Sequence, residues 1–158
     1  MRIGIVSDTH DRVLPDLHAA LAGVDEILHA GDIASAEALA EIETIAPVTA
    51  VRGNMDEREL ADRLPEEILV TRDGVRIALV HGHRLGRASV DDLIARFDSL
   101  SPDLVVWGHI HEPISRPWNG VTYFNPGTAG GIGAPATCGL LATRNGQFTV
   151  EHLDLAPS

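Results

Sequence analysis

The sequence predicts an α/β fold, in which β-strands alternate with α-helices. A β-branched apolar run opens the chain at residues 2 to 7, apolar residues at helical spacing follow it, and the alternation then repeats. Of the 158 residues, 44% are hydrophobic and 22% charged, which is typical of a soluble globular protein with a sizeable core. We therefore expect a single domain over residues 1–158.

The first third of the chain predicts three strands separated by two helices. After the opening strand RIGIVS, a helix is indicated by Leu14, Leu17 and Leu21, with Gly23 as its stop signal. EILHAGD contains the second strand, and Ser35 is placed to cap the helix of AEALAEIETI. PVTAVRGN then gives a third strand that runs into a glycine turn. Repeated βαβ units are thus predicted.

Two further buried strands and a change of pattern follow. RIALVHGH and DLVVWGHIH are apolar strands, and between them Ser89 to Asp92 match a capping box ahead of the helix DLIARF. After residue 120, VTYFNPG, CGLLAT and QFTVEHL predict antiparallel strands added to the edges of the sheet or sheets. Trp107 and Trp118 are expected to pack in the core.

Polar residues gather at the ends of five predicted strands. They form D-T-H at 8–10, G-D at 31–32, G-N at 53–54, H-G-H at 81–83 and G-H-I-H at 108–111, at intervals of 22 to 28 residues. Each interval is roughly one βαβ repeat, so we expect every cluster to return to the same edge of the sheet. Open α/β sheets bind ligands at the carboxyl ends of their strands, and a tight turn there can aim both polar residues of a cluster at one centre.

The residue types in these clusters are those of a metal site. Two carboxylates, one amide oxygen and up to five imidazoles are present, while the single cysteine, Cys138, excludes a thiolate-rich site and an internal disulfide framework. Mixed oxygen and nitrogen ligands suit manganese, iron, cobalt, nickel or zinc. Seven ligands exceed one tetrahedral site, whereas two ions about 3.5–4 Å apart, bridged by a carboxylate, would use them all.

The order of these motifs resembles that of the calcineurin-like metallophosphoesterases. SDTH, HAGD, GNMD and NPGT are similar in particular to the small YfcE-type phosphodiesterase branch, and the resemblance covers essentially the whole chain. It implies a metallophosphoesterase-type sandwich of two mixed β-sheets flanked by α-helices. It also implies one metal on Asp8, His10 and His111, the other on Asn54, His81 and His109, and Asp32 as the bridge.

The activity that this resemblance implies is a metal-dependent phosphoesterase with two divalent ions, manganese being favoured over iron, nickel, cobalt or zinc. A hydroxide that bridges the two metal ions would attack small phosphodiesters. In many larger relatives a histidine that follows G-N is thought to protonate the leaving group, and Met55 stands there instead. We therefore expect diesters to be favoured over monoesters, with His83 or a metal-bound water as the replacement acid.

Other functions remain open from the sequence. One is an inactive scaffold or binding protein on the same fold, like the retromer subunit that resembles this branch. Another is a nuclease or cyclic-nucleotide phosphodiesterase. The formal charge of -11 argues against a long nucleic acid as partner, although bound cations would still attract phosphate. We expect a cytoplasmic protein that does not associate with membranes and acts on a small phosphate ester. The resemblance leaves a homodimer open.

Two residues and one turn near the motifs have two interpretations each. His29 either orients a neighbouring metal ligand or packs within its strand. Asp56 is favoured as the N-cap of a helix with Glu59 at the third position, and the alternative is that it shapes the site. The NPGT turn from Asn125 either supports the site or only joins two strands.

Overall fold

Two five-stranded sheets face each other in this computed structural model, which describes residues 1–155. The strands are β1 (Arg2–Val6), β2 (Glu26–His29), β3 (Val48–Ala50), β4 (Glu67–Arg72), β5 (Val75–Val80), β6 (Leu104–Trp107), β7 (Pro113–Trp118), β8 (Val121–Pro126), β9 (Thr137–Arg144) and β10 (Gln147–Asp154). The helices are α1 (Pro15–Ala20), α2 (Ala36–Glu43), α3 (Arg58–Arg63) and α4 (Val90–Phe97).

Both sheets are mixed, which confirms the predicted sandwich. The first has the order β10-β9-β1-β2-β3, in which β1, β2 and β3 are parallel and the β9–β10 hairpin is antiparallel to β1. The second has the order β4-β5-β6-β8-β7, with β5, β6 and β8 parallel and an antiparallel strand at each edge. The parallel strands place the carboxyl ends of β1, β2, β3, β5 and β6 at one end of the sandwich.

Sequence patterns did not predict two of the edge strands. β7 begins at Pro113 and contains Pro117, and proline argues against a strand because it lacks the N–H that the ladder needs. An edge strand tolerates proline because one side of its backbone has no partner strand. β4 is the other edge of this sheet, and its side chains are only partly buried, so its apolar pattern is weak.

The apolar residues form three layers of core. One layer lies between the sheets and includes Ile5, Leu79 and Phe124. The other two cover the outer faces, beneath α1 to α3 on the first sheet and beneath α4 on the second. Central strands are therefore covered on both faces, which explains their continuous apolar runs. Trp107 is fully buried as expected, but Trp118 on β7 is 47% exposed and lies outside the core.

Local signals for the helix starts agree with the structure in two of three cases. Ser35 accepts a hydrogen bond from the Ala38 amide at 3.2 Å, and Ser89 with Asp92 forms the predicted capping box of α4. The N-cap of α3 is Glu57, without a side-chain cap, so the predicted cap at Asp56 is wrong. Within residues 1–155, every helix is too short or too polar to span a bilayer.

An ion pair joins the two sheets at the end opposite to the polar clusters. Glu26 on β2 accepts hydrogen bonds from Arg72 on β4, at 2.6 Å from Nε and 2.8 Å from Nη2, and from Thr49 Oγ1 at 2.6 Å. The bonds from Arg72 lower the pKa of the Glu26 carboxyl, against the effect of its partial burial. Because both carboxylate oxygens are bonded, this polar contact fixes how the two sheets lie against each other.

Candidate metal centre

The five polar clusters meet in one crevice at the carboxyl ends of the strands. Three of them follow β1, β2 and β3 of the first sheet, and two follow β5 and β6 of the second. The expectation of a single sheet edge was therefore wrong, since both sheets contribute. The chain intervals are the same in either arrangement, because a βαβ repeat has the same length whichever sheet it enters.

Asp8, His10 and His111 form the first group of side chains with metal-ligand atoms. The Asp8 Oδ1 atom lies 3.2 Å from His111 Nε2 and 3.7 Å from His10 Nε2. The two imidazole Nε2 atoms are only 3.3 Å apart. All three side chains thus offer an atom to the same small volume, within 4.8 Å of one another.

Asp32, His81 and His109 form the second group, and Asn54 adjoins it. The Asp32 Oδ2 atom lies 3.2 Å from His81 Nε2, and Asn54 Oδ1 lies 3.1 Å from the same nitrogen. His109 and His81 have ring centroids 5.2 Å apart. The two histidines of G-H-I-H therefore belong to different groups.

Asp32 belongs to the second group but also faces the first. Its Oδ2 atom is 3.2 Å from His81 Nε2 in the second group and 3.7 Å from His10 Nε2 in the first. Its other oxygen, Oδ1, accepts a hydrogen bond from the Met55 amide at 2.8 Å. One carboxylate oxygen is thus directed at both groups while the other is held by the backbone.

Left-handed backbone at the strand ends turns these side chains inward. The φ angles are 55° at Asp8, 46° at His10, 56° at Asp32, 71° at His109 and 59° at His111. Such angles are uncommon for residues other than glycine and cost of order 1–3 kcal/mol each. In an extended strand, Asp8 and His10 would point to the same face without meeting, and the turn is what directs both to one centre.

Two glycines allow the backbone to approach the carboxylates. A Cβ atom on Gly53 would overlap Asp32 Oδ1 and the Asp32 backbone nitrogen, and one on Gly108 would overlap Ser7 Oγ. A larger residue would therefore not fit at Gly53 of G-N or at Gly108 of G-H-I-H.

Hydrogen bonds to the rear of each group fix which atoms face inward. His81 Nδ1 donates to the Ala30 carbonyl and His111 Nδ1 donates to the Ile132 carbonyl, each at 2.8 Å, which leaves the Nε2 lone pairs for a cation. Asp8 Oδ2 accepts from Ser7 Oγ at 2.6 Å and from the His109 amide at 3.0 Å. Ser7 was not recognised from the sequence, where it reads as one more residue of a buried strand.

The donor set and one unpaired atom fit divalent cations. Asp8 Oδ1 is buried and makes no hydrogen bond within the described part of the chain, which is costly for a carboxylate without a cation nearby. Burial raises the pKa of Asp8, but its interactions with His10 and His111 outweigh this and bring the pKa below its ordinary value. The side chains of the two groups and Asn54 are thus placed to hold two ions.

Comparison with known proteins identifies the family. A model of the calcineurin-like phosphoesterase superfamily domain matches residues 1–146. The chain belongs to this family. A probable metallophosphoesterase of Methanothermobacter thermautotrophicus is 38% identical over 133 residues, which cover 81% of this chain and 77% of that protein. A phosphodiesterase of Methanocaldococcus jannaschii is 32% identical over 167 residues and covers 94% and 96% of the two chains.

A solved structure shows how widely the fold is shared. Wild-type Vps29 from Entamoeba histolytica, complexed with Zn²⁺, superposes with a TM-score of 0.82 over 99% of this chain and 100% of its own. The sequence identity is 20%, so this likeness concerns the fold. The fold of this calcineurin-like phosphoesterase is therefore also found in a protein that is not named as a phosphoesterase.

Three more residues singled out in the sequence border the site of this phosphoesterase. Asp56 accepts hydrogen bonds from the amides of Ala34 at 2.8 Å and Gly53 at 2.7 Å, so it shapes the loops around the ligands instead of capping a helix. Thr128 of the NPGT turn donates to the Asp8 carbonyl at 2.8 Å, and Asn125 Nδ2 donates to the Gly108 carbonyl at 3.0 Å. The turn therefore contacts the loops of the first group.

His83, the candidate catalytic residue, lies beside the second group. Its ring centroid is 5.5 Å from that of His81 and 6.4 Å from that of His109. Its Nδ1 atom is buried without a hydrogen-bond partner among residues 1–155. Partial burial, followed by the nearby His81, lowers its pKa. The ring also lines a pocket of about 320 Å³ together with Glu66, Leu85 and other residues.

Gly53→Ala tests the steric role of glycine beside Asp32. The added methyl group cannot fit without moving the Asp32 carboxylate, so we expect Mn²⁺ affinity, measured by calorimetry on metal-stripped protein, to fall about 10–100-fold. Gly23→Ala is the control for a glycine substitution far in sequence from the proposed ligands, because a Cβ there meets nothing within 4 Å, while its φ of 75° strains alanine and should lower stability without changing metal affinity. It should keep full affinity. A Gly53→Ala protein with wild-type Mn²⁺ affinity would contradict the proposal that Gly53 leaves space for Asp32 as a metal ligand.

Proposed function

We propose that this calcineurin-like phosphoesterase hydrolyses small phosphodiesters with the help of two divalent metal ions, preferentially Mn²⁺. The observation that carries the proposal is the position of Asp32 Oδ2, which faces His10 of the first group and His81 of the second. A carboxylate oxygen that faces both groups could bridge two ions about 3.5–4 Å apart, which is the spacing typical of two-metal phosphatases and nucleases. The mixed oxygen and nitrogen donors suit Mn²⁺, with Fe, Ni, Co and Zn as alternatives.

In this proposal, each group of side chains holds one ion and Asp32 contacts both. The ions would activate water for attack on phosphorus and neutralise the negative charge that develops on the phosphate oxygens. The protein contributes position: Asp8 is held by Ser7 and by the His109 amide, and the imidazoles of His81 and His111 are held by backbone carbonyls. Buried, oriented ligands of this kind need little rearrangement during the reaction.

The preference for diesters rests on Met55 and on one relative. The residue after Asn54 carries a thioether, which cannot donate a proton to a leaving group, and its side chain is 60% exposed. The Met55 backbone nevertheless helps the site, because its amide donates to Asp32. The relative from Methanocaldococcus jannaschii, which matches almost the whole chain, is named a phosphodiesterase.

His83 is the proposed hydrogen-bond donor to the departing oxygen. Its ring adjoins His81 and His109, so it borders the place where a substrate would meet the second ion. The pocket that it lines, about 320 Å³ in volume, is bordered also by Glu66, Arg84 and Leu85 and could receive a small leaving group. A neutral imidazole at this position can share a proton with an oxygen that leaves as an alkoxide.

A scaffold or binding function is the second candidate, because the fold is shared with Vps29, a protein that is named for vacuolar protein sorting and not for an enzymatic activity. The structure of that protein is described as a complex with Zn²⁺, so metal binding alone does not separate an enzyme from a scaffold. In this chain, all seven proposed ligand positions carry side chains that are able to coordinate a metal. Turnover is therefore the property that decides between the two functions.

The deciding experiment compares the wild type with Asp32→Asn in hydrolysis of a chromogenic phosphodiester, before and after Mn²⁺ is added to metal-stripped protein. Asparagine keeps the shape of the side chain but loses its charge, so bound metal should decrease and turnover should fall more than about 100-fold. Asp62→Asn is the matched control, because Asp62 is exposed on α3 and its one ion pair among residues 1–155 is with Arg58, at 3.7 Å.

Four outcomes of this experiment, repeated with a chromogenic phosphomonoester, separate the candidates. Manganese-dependent turnover that Asp32→Asn loses and Asp62→Asn keeps supports the proposal. Metal binding without turnover by the wild type would favour the scaffold. A fully active Asp32→Asn protein would contradict the bridging role, and a higher kcat/KM on monoesters than on diesters would contradict the substrate preference.

His83→Gln tests the proposed contact with the leaving group. We expect a loss of roughly 100-fold in kcat for a diester with an alkyl leaving group, which needs a proton, and little loss for nitrophenolate, which does not. His18→Gln on α1 serves as the control because His18 is remote in sequence from the ligands and pairs with exposed Glu41. Equal losses on both substrates would show that His83 does not act on the leaving group.

A further inference from the structure

His29 is a fully buried imidazole with a partner on each ring nitrogen. It is the last residue of β2, and its Nδ1 accepts a hydrogen bond from the Gly31 amide at 3.1 Å. Burial lowers the pKa of His29 to about 4, so the ring is neutral near pH 7 and its one proton is on Nε2. The Nε2–H group then donates to Thr9 Oγ1 at 3.2 Å.

The partners of His29 belong to two different ligand-bearing loops. Thr9 is itself fully buried and stands between Asp8 and His10, while Gly31 immediately precedes Asp32. The same two loops are joined by backbone bonds from Asp8 N to Gly31 O and from His10 N to Asp32 O, each 3.0 Å long. The ring of His29 is therefore one of the side-chain links between the loop of the first group and the loop of Asp32. Thr9 Oγ1 also donates to the Ile33 carbonyl at 3.5 Å, and Ser35 Oγ donates to Asp11 Oδ1.

Asp56 makes the corresponding link on the other side of Asp32. Its Oδ1 accepts from the amide of Ala34, two residues after Asp32, and its Oδ2 accepts from the amide of Gly53, which precedes Asn54. Both carboxylate oxygens are thus used by backbone amides from two loops. Ala34 has a φ of 88°, which is unfavourable for alanine, so this conformation depends on bonds such as the one from Asp56.

We propose that the His29–Thr9 pair and Asp56 are positioning residues that adjust the two metal groups separately. The His29–Thr9 pair holds Asp8 and His10 against Asp32, and Asp56 holds Asn54 against Asp32. This inference rests on the proposed two-ion function. The His29–Thr9 pair then adjusts the affinity for the first ion and Asp56 that for the second. Asp32 would contact both ions.

Two near-isosteric substitutions remove one link each. Thr9→Val deletes the hydroxyl that accepts from His29 and keeps the branched shape, and Thr9→Ser keeps the hydroxyl as the rescue variant. Asp56→Asn keeps one acceptor oxygen and replaces the other by an NH₂ group, which cannot accept from a backbone amide. Asp62→Asn on α3 is the control for the loss of one negative charge.

Stepwise binding of Mn²⁺ to metal-stripped protein is the first measurement, by calorimetry. Loss of a group that supports a metal ligand typically costs 10–100-fold in affinity. We expect two binding steps in the wild type. Thr9→Val should weaken one step by about tenfold and Asp56→Asn the other, while Thr9→Ser and Asp62→Asn stay within about threefold of the wild type. Two variants that weaken the same step equally, or no step, would overturn the inference.

Amide hydrogen exchange of the metal-free proteins is the second measurement, and it does not depend on the metal. Thr9→Val should speed exchange at the amides of Asp8 and His10, and Asp56→Asn at those of Ala34 and Gly53, each by about tenfold. Unchanged exchange at these amides would overturn the inference. A wild-type protein that binds a single ion would contradict the proposed function itself, and the exchange rates would still decide whether the two links hold their loops.

Discussion

The close approach of two buried carboxylates is the constraint on which the site depends. Asp8 is fully buried and Asp32 nearly so, and the imidazoles of both groups surround them. Carboxylates out of contact with water repel each other and lose their hydration, so positive charge must lie close by. In the metal-free chain the histidines partly fill this role, since bonding to Asp32 raises the pKa of His81 against the effect of burial. Two divalent ions would do so more completely.

The sandwich architecture makes this arrangement rigid. The proposed ligands come from the ends of five strands in two sheets, and the apolar layer between the sheets sets their separation. The Glu26–Arg72 pair links the sheets at one end. Near the other end, the His152 ring stacks on Phe124 with centroids 4.3 Å apart and bonds to the Asn125 carbonyl at 2.7 Å. The two sheets are thus linked near both ends, and this rigid pair of sheets holds the strained backbone turns of the candidate metal site in place.

Sequence reasoning predicted the parts of this structure that depend on local patterns. The order of strands and helices follows from periodicity, and the candidate ligands follow from residue type beside glycine at strand ends. What it missed depends on contacts between distant segments. DERE matches a capping box, yet the amides that bond Asp56 belong to Gly53 and Ala34, and only the folded chain brings Ala34 there. The spacing of the polar clusters along the chain likewise does not indicate which strands belong to which of the two sheets.

His29 shows the same limit at the level of one side chain. Its burial was compatible with packing or with orientation of a ligand, and the choice depends on Thr9 and Gly31, which approach it from opposite sides of the ring. Asn125 is a second example, because its contact with the Gly108 carbonyl joins turns that are far apart in sequence. Residue type indicates which groups have metal chemistry, and packing decides which groups support them.

Anomalous diffraction from crystals of the protein grown with Mn²⁺ would test the central claim most directly. The account predicts two anomalous peaks about 3.5–4 Å apart, one in each group of ligands, with Asp32 Oδ2 in contact with both. A single peak, or two peaks of which Asp32 contacts only one, would contradict it.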